Sequence, residues 1–377
     1  MMTTSADLEH PPPVEPADRP VTEADGQDGS ELPLVTLSVS VRNGSEHIDD
    51  CMRALVAQSW RPLEIVAVDD GSSDGGADIL ASWHDPSGSK PDSNGVPIRV
   101  LTRASEGLSA GRNAAFEASR GEWFAITDID CRPAANWLEE MMNVRHGLGD
   151  ERVAAVTGRT VFDKGRTRVS RLRSAEIERK YRGRSRIATL ANGPCSMFRH
   201  RMLVSVGGFD ADWYHAEDME VSLLLITAGG TIIHTPYAVV DHVAEETLRL
   251  FLRKRRRDAR AHMRIVRKHG LGGPVRPDGE RLGHDFTADA KWAALVLPMH
   301  ILLYALLFCL LTWLKEPILR PYPTPLLAAL PLLFNVIVDR DALIRLFWSA
   351  AIWLGISDGY TDALLARNGH PRLFSKW

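Results

Sequence analysis

The 377-residue chain is 45% hydrophobic and carries 45 Lys and Arg against 48 Asp and Glu, a formal charge of −3. That apolar content suffices for one large domain or two ordinary ones and excludes a chain disordered throughout. Charge is unevenly spread: acids dominate the first thirty positions, while arginines crowd 166–186 and 249–268. The four cysteines, Cys51, Cys131, Cys195 and Cys309, have no metal-binding spacing, which argues against a zinc site or a disulfide framework and for a reducing compartment.

Residues 1–33 have many prolines and acids, no basic start and no apolar core, so they read as a disordered tail rather than a signal peptide. From Val35, "VTLSVSV" predicts a β-branched strand, and "HIDDCMRALVAQSW" repeats its apolar residues at helical spacing. "LEIVAVDD" lacks alternation and predicts a strand buried on both faces. A helix over 77–83, a strand over 98–101, a helix over 110–119 and the strand "EWFAIT" complete four alternations and end at Asp128. That order predicts an α/β fold, a doubly wound, mostly parallel sheet with nucleotide chemistry at its carboxyl edge. Further strands are expected in "VAAVTGRTVF" and "TIIHTP".

"LRLFLRKRRRDARAHMRIVRKHG" (248–270) predicts a helix with cations around much of its circumference. It fits a solvated helix, a nucleic-acid surface or a helix on anionic lipid. No RNA-binding motif accompanies it, and an apolar run follows within a few tens of residues, which favours a lipid surface or a lipid-linked diphosphate acceptor over nucleic acid. That run, Ala293 to Leu314, is uncharged, of bilayer-spanning length and bracketed by Lys291 and Lys315, and reads as a transmembrane helix. Pro323 to Val338 is shorter and proline-broken, a returning span or a re-entrant segment; Ala342 to Ile356 contains Arg345 and suits the interface. The resulting division is a tail (1–33), an α/β domain (34–250), a basic helix with a juxtamembrane linker (251–290) and membrane segments (291–377). The distribution of Arg and Lys puts both ends of the hairpin, and the α/β domain, on the cytoplasmic side of the cell membrane.

Two acidic clusters close strands of the expected sheet: "VDDGSSDGG" (68–76) and "TDIDCRP" (127–133). Asp128 and Asp130 can aim hard oxygen ligands at one point, a pairing that suits Mg2+ or Mn2+ bridging a nucleotide's phosphates. Alone, each cluster also reads as a turn; their shared edge makes the ligand reading the stronger one.

With "SVRN" (40–43), "GLSAGRNAAFEASRGEW" (107–123), "NGPCSMFRHRMLVSVGGFD" (192–210) and "HAEDMEVSLLL" (215–225), these motifs resemble the inverting family 2 glycosyltransferases of GT-A fold, over roughly 34–250. The resemblance implies a nucleotide pocket at Ser40, Arg42 and Asp70, with Asp70 accepting from the base and Arg112 approaching the diphosphate. It implies that Asp128 and Asp130 serve metal and ribose, that His242 completes the metal shell or is structural, and that Asn192 and Gly193 line the donor sugar or form a surface turn. Inversion needs a base for the acceptor hydroxyl; the resemblance assigns Asp218, with Glu217 orienting sugar or acceptor, whereas both acids also suit a helix start. Arg42 stands where an aromatic is more usual, and "CRP" after Asp130 departs from an acidic continuation.

The expected function is single-sugar transfer from a nucleotide-sugar donor to a hydroxyl of a lipid-linked glycan, since the Gln-x-x-Arg-Trp motif of processive synthases is missing. Transfer to polyprenyl phosphate itself is the alternative within enzymes, and a catalytically silent nucleotide-sugar scaffold the alternative outside them. "GISDG" (355–359) fits a hydrolase nucleophile pattern but has too little chain after it to supply a histidine.

Overall fold

The computed structural model describes residues 32–148, 151–213, 215–283, 288–314 and 339–367. The tail expected at 1–33 and the segment 323–338 thus fall almost wholly outside the described residues. In chain order, β1 (Val35–Val41), α1 (Ile48–Val56), β2 (Leu63–Asp70), α2 (Gly76–Ser82), β3 (Ile98–Arg103), α3 (Leu108–Glu117) and β4 (Trp123–Asp128) form the expected alternation. All eight residues of β2 are buried, as its lack of alternation predicts. These strands lie in the order β3-β2-β1-β4, all parallel. Their ends therefore share one edge, where Ser40 pairs in register with Asp128 on one side and Val68 on the other.

The second half is mixed rather than parallel. It comprises β5 (Cys131–Pro133), α4 (Trp137–Leu148), β6 (Val153–Phe162), α5 (Arg168–Tyr181), β7 (Ile187–Ala188), β8 (Ser196–Arg199), α6 (His200–Ser205), α7 (Glu217–Thr227) and β9 (Thr231–His242). Strand β8 enters antiparallel between β4 and β6, β9 runs parallel to β6, and β5 and β7 pair antiparallel with β9. Strand β9 continues past Pro236, where the sequence pattern suggests a stop. The β6–β9 register jumps from Thr157↔His234 to Arg159↔Val239, so Pro236 and Tyr237 are extruded into an exposed bulge that needs no ladder donor.

Beyond the sheet come α8 (Leu248–His269), α9 (Ala288–Leu314) and α10 (Ala342–Leu365). The α8 cations are not spread over a free surface. Arg255, Arg264 and Arg267 are buried, and Arg256 and Arg260 form bidentate pairs with Asp358 and Asp362 of α10. Gly355 and Gly359 let α10 touch α8, since a Cβ at Gly355 would lie 2.2 Å from the Arg256 carbonyl oxygen. "GISDG" is thus a helix-packing stripe, not a nucleophile turn. In α9, Pro298 lacks the N–H that would reach the Ala294 carbonyl; Ser349 Oγ (3.0 Å) and Trp353 Nε1 (2.9 Å) donate to it instead. Trp292–Leu310 is long and apolar enough to cross a membrane, by length and composition, and only 6% of it is buried.

Candidate active site

Gly107 opens α3 at φ +100°, a conformation that favours glycine. One turn on, Gly111 brings the helix onto β1, where a Cβ would meet Ser40 Oγ at 3.1 Å. This approach buries the next residue, Arg112, to 2% exposure beneath the ends of β1 and β4. Its guanidinium donates to Asp128 Oδ1 at 3.0 Å and, in a short contact, to Glu217 Oε1, and stacks over Phe209. Burial works against the charge, but Glu217, Asp128 and Asp218 outweigh it and raise the Arg112 pKa above its ordinary value. Burial pushes the Asp128 carboxyl upward, against the pull of Arg112.

Asp218 has a different environment from Glu217. Ala216 enters α7 in the left-handed region at φ +67°, a cost of about 1 kcal/mol for a non-glycine residue. From this turn the Asp218 carboxylate accepts N–H bonds from Gly193 (2.8 Å, Oδ2) and Met219 (2.8 Å, Oδ1). Whereas Glu217 is bound to Arg112, Asp218 makes no salt bridge among the described residues. Gly193 lies too close to Arg112 for a side chain: a Cβ would stand 2.9 Å from Nη2. Asn192 donates to Tyr181 Oη at 2.7 Å, which ties the same loop to α5.

His242 ends β9 and stacks on Phe162 at 4.1 Å between centroids. Its Nδ1 contacts the Val243 carbonyl oxygen at 2.8 Å; a carbonyl only accepts, so Nδ1 is the donor there and Nε2 is left facing Asp130 Oδ2 at 3.5 Å. Donor atoms of Asp130, Cys131 and His242 lie within 4.8 Å of one another. Burial pushes the Cys131 thiol well above its ordinary pKa, so Asp130 and His242 are the stronger ligand candidates. A carboxylate oxygen and an oriented imidazole fit Mg2+ or Mn2+, with Asp128 close by but held by Arg112.

One cavity of about 680 Å³ gathers Arg112, Asp128, Asp130, Asn192, Gly193, Glu217, Asp218 and His242. Ser40, Arg42 and Asp70 do not line it. Arg42 is exposed, and Asp70 accepts from the backbone N–H groups of Glu106 (3.1 Å) and Gly107 (2.9 Å), so its carboxylate fixes the entry to α3. The opening turn of "VDDGSSDGG" is cross-linked to the neighbouring loop: Ser73 N–H donates to Asn43 Oδ1, and Ser45 N–H to Asp74 Oδ2. The opposite wall of the cavity is supplied by α5 and α8, with Arg173, Lys180, Arg255, Asp258 and His262, residues the sequence reading did not name singly although it gave the α8 run to a lipid surface or a lipid-linked diphosphate acceptor. The available signal was an inward apolar stripe inside each arginine-rich run, Val169, Leu172 and Ile177 in one and Phe251, Ala259 and Ile265 in the other.

The mixed sheet and the site at its strand ends define a GT-A fold. In overall structure the chain is similar to the mannosyltransferase PcManGT from Pyrobaculum calidifontis, solved in complex with GDP-Man and Mn2+, at 19% identity with a TM-score of 0.61 over 88% of each chain. The sequence model of glycosyl transferase family 2 matches residues 36–207, and that of glycosyl transferase family group 2 matches residues 123–338, more than half of the chain. The protein belongs to glycosyl transferase family group 2. It is 28% identical over 253 residues to the pre-mycofactocin glycosyltransferase of Mycobacterium tuberculosis (64% of this chain, 47% of the relative). It is 30% identical over 122 residues to glycosyltransferase AglE of Haloferax volcanii (32% of this chain, 38% of the relative). The chain spans from about a quarter to just over half the length of the curated relatives it matches.

Proposed function

We propose that this protein is a membrane-anchored, metal-dependent, inverting glycosyltransferase that moves one sugar from a nucleotide-sugar donor to a hydroxyl of a lipid-linked glycan at the cytoplasmic membrane face. The observation that carries this reading is the contrast between adjacent acids in one cavity. Glu217 is neutralised by Arg112, whereas Asp218 is oriented by two backbone N–H groups and has no salt-bridge partner among the described residues.

Asp218 accepts the proton of the acceptor hydroxyl as its oxygen bonds to the anomeric carbon. The bond from that carbon to the nucleoside diphosphate breaks on the opposite face, inverting the configuration. Arg112, fixed by Glu217 and Asp128, supplies positive charge at the cavity floor. Asp130 and His242, with Asp128, would hold the divalent cation, which when bound offsets the leaving group's charge. Asn192 and Gly193 line the donor sugar, while Ser40, Arg42 and Asp70 belong to the nucleotide end, Asp70 through the loop it fixes. The exposed apolar face of Trp292–Leu310 supports membrane anchoring.

The test is the anomeric configuration of the product, read by proton NMR coupling constants after incubation of the detergent-solubilised protein with UDP-, GDP- and dTDP-sugars, Mn2+ or Mg2+ and membrane lipid extract. Inversion at the transferred carbon supports the reading. Retention contradicts it.

A further inference from the structure

The catalytic cavity has a second, chemically distinct end. Rings and ion pairs connect it to the first. Phe162, stacked on His242, carries the Arg173 guanidinium over its ring at 5.1 Å from the centroid. His215, three residues before Asp218, contacts Asp258 at 2.8 Å; Asp258 pairs with Arg255 at 3.1 Å. Arg255 sits over Phe251 at 5.3 Å, and Phe251 packs edge-on against Trp348 at 5.5 Å. The cations thus stand one aromatic ring from the metal-ligand candidate and one ring from α10. There the cavity wall turns apolar, with Ala294, Trp348, Ile352 and Ile356.

Two features of this stretch point to an anion. Arg255 has a side chain 9% exposed, yet its buried Nε lacks a hydrogen-bond partner, and so does the buried Nε of Arg173. A buried guanidinium N–H without an acceptor is costly, and a phosphate oxygen satisfies it. Around them the cavity is lined by five cations, Arg173, Lys180, Lys254, Arg255 and Arg257, and three carboxylates, Glu176, Glu245 and Asp258. The surplus of two positive charges equals the charge of a diphosphate diester. The catalytic end, with Asp128, Asp130, Glu217 and Asp218 around Arg112, has the opposite sign.

We infer that Arg173, Arg255 and Arg257 form a subsite for the diphosphate of a lipid-linked acceptor, whose hydrocarbon chain leaves along the apolar wall of α9 and α10. The inference rests on the transferase reading above and deepens it. The diphosphate is a binding handle that docks the glycan's hydroxyl toward Asp218, and the apolar exit requires the acceptor to arrive from the membrane rather than from solution.

The test uses P1-farnesyl-P2-methyl diphosphate with the detergent-solubilised full chain, so that no particular sugar is needed. Dimethyl diphosphate and farnesol are the comparators lacking one half. Calorimetric titration is expected to give binding at least about tenfold tighter for the complete probe than for either half, with R173Q and R257Q each weakening it about tenfold. R257Q guards against misfolding, since that side chain is half exposed. R256Q, whose partner is Asp358 outside the cavity, leaves binding unchanged. Farnesol binding as tightly as the diphosphate, no binding of the probe, or indifference to R173Q and R257Q would overturn the subsite. Donor turnover is measured on the same samples. Asp218-dependent turnover without probe binding removes only the subsite, whereas probe binding without turnover of any donor removes the transferase reading and leaves the subsite standing.

Discussion

The backbone N–H of Gly193 donates to Oδ2 of Asp218 at 2.8 Å, so the loop before β8 fixes the carboxylate that starts α7. The same glycine lies against Arg112, where a methyl group would approach Nη2 to 2.9 Å. A single position therefore sets both Asp218 and Arg112 in the cavity. Gly193→Ala is expected to lower kcat about 10- to 100-fold, the range for a displacement of reacting groups by about an ångström, with little change in thermal midpoint. Steady-state kinetics beside a melting curve check this; unchanged kcat would show that the loop has room to give.

Arg112 holds two acids in a buried site, and removing it leaves both without their cation. Arg112→Ala is expected to destabilise the fold by about 3–5 kcal/mol, the usual result of breaking a buried ion pair on one side. Arg112→Ala with Glu217→Leu is expected to recover part of that loss, because the uncompensated charge at Glu217 is then gone. Urea denaturation of the three proteins measures the difference.

His262 lies on α8 in the cavity wall, with Asp258 and Arg255 on the same helix and His215 and Lys180 acting on it from other elements, and burial pushes its pKa down to about 4. Between about 4 and the ordinary 6.5 the unfolded chain binds a proton that the folded one does not. Stability is therefore full above pH 6.5 and falls as pH drops through this window. His262→Gln is expected to flatten the slope of the urea midpoint between pH 7 and 4.5 relative to the parent. An unchanged slope would assign that acid sensitivity to other groups.

Among the first four strands, β2 ("LEIVAVDD") and β4 ("WFAITD") were the most legible, each an apolar run closed by Asp, the pattern a parallel, doubly covered sheet imposes. Strands β5, β7 and β8 were not, since runs of two to four residues have no periodicity to read and exist through their partners. The acids that line the cavity, Asp128, Asp130, Glu217 and Asp218, were legible as motifs, but the hydrogen bonds of Asp70 were not, because its donors, Glu106 and Gly107, lie 36 and 37 positions away. At α8 the composition showed the cations but not their partners, since its acids come from Glu245, Asp358 and Asp362, contacts that only the fold brings together.

The crossing of α8 and α10 depends on glycine. At Gly355 a side chain would strike the Arg256 carbonyl oxygen at 2.2 Å and Ala259 Cβ at 2.8 Å, so Gly355→Leu is expected to cost about 1–3 kcal/mol as α10 is forced away. The displacement also parts Arg260 from Asp362. Thermal unfolding in detergent, with Gly355→Ala as the milder step, measures it; equal midpoints for all three proteins would mean that α10 does not rest on α8.

The most direct test of Asp218 as the base is donor-specific nucleotide release, with Mn2+ or Mg2+ and a membrane lipid extract as acceptor source, by the parent protein and Asp218→Asn. The amide is close in shape to the carboxylate and cannot accept the hydroxyl proton. The expected result is a loss of 10²- to 10⁴-fold in kcat, the usual range for general-base catalysis, with donor affinity and thermal midpoint kept. Release that continues at the parent rate in Asp218→Asn would contradict the assignment and place the base elsewhere in the cavity.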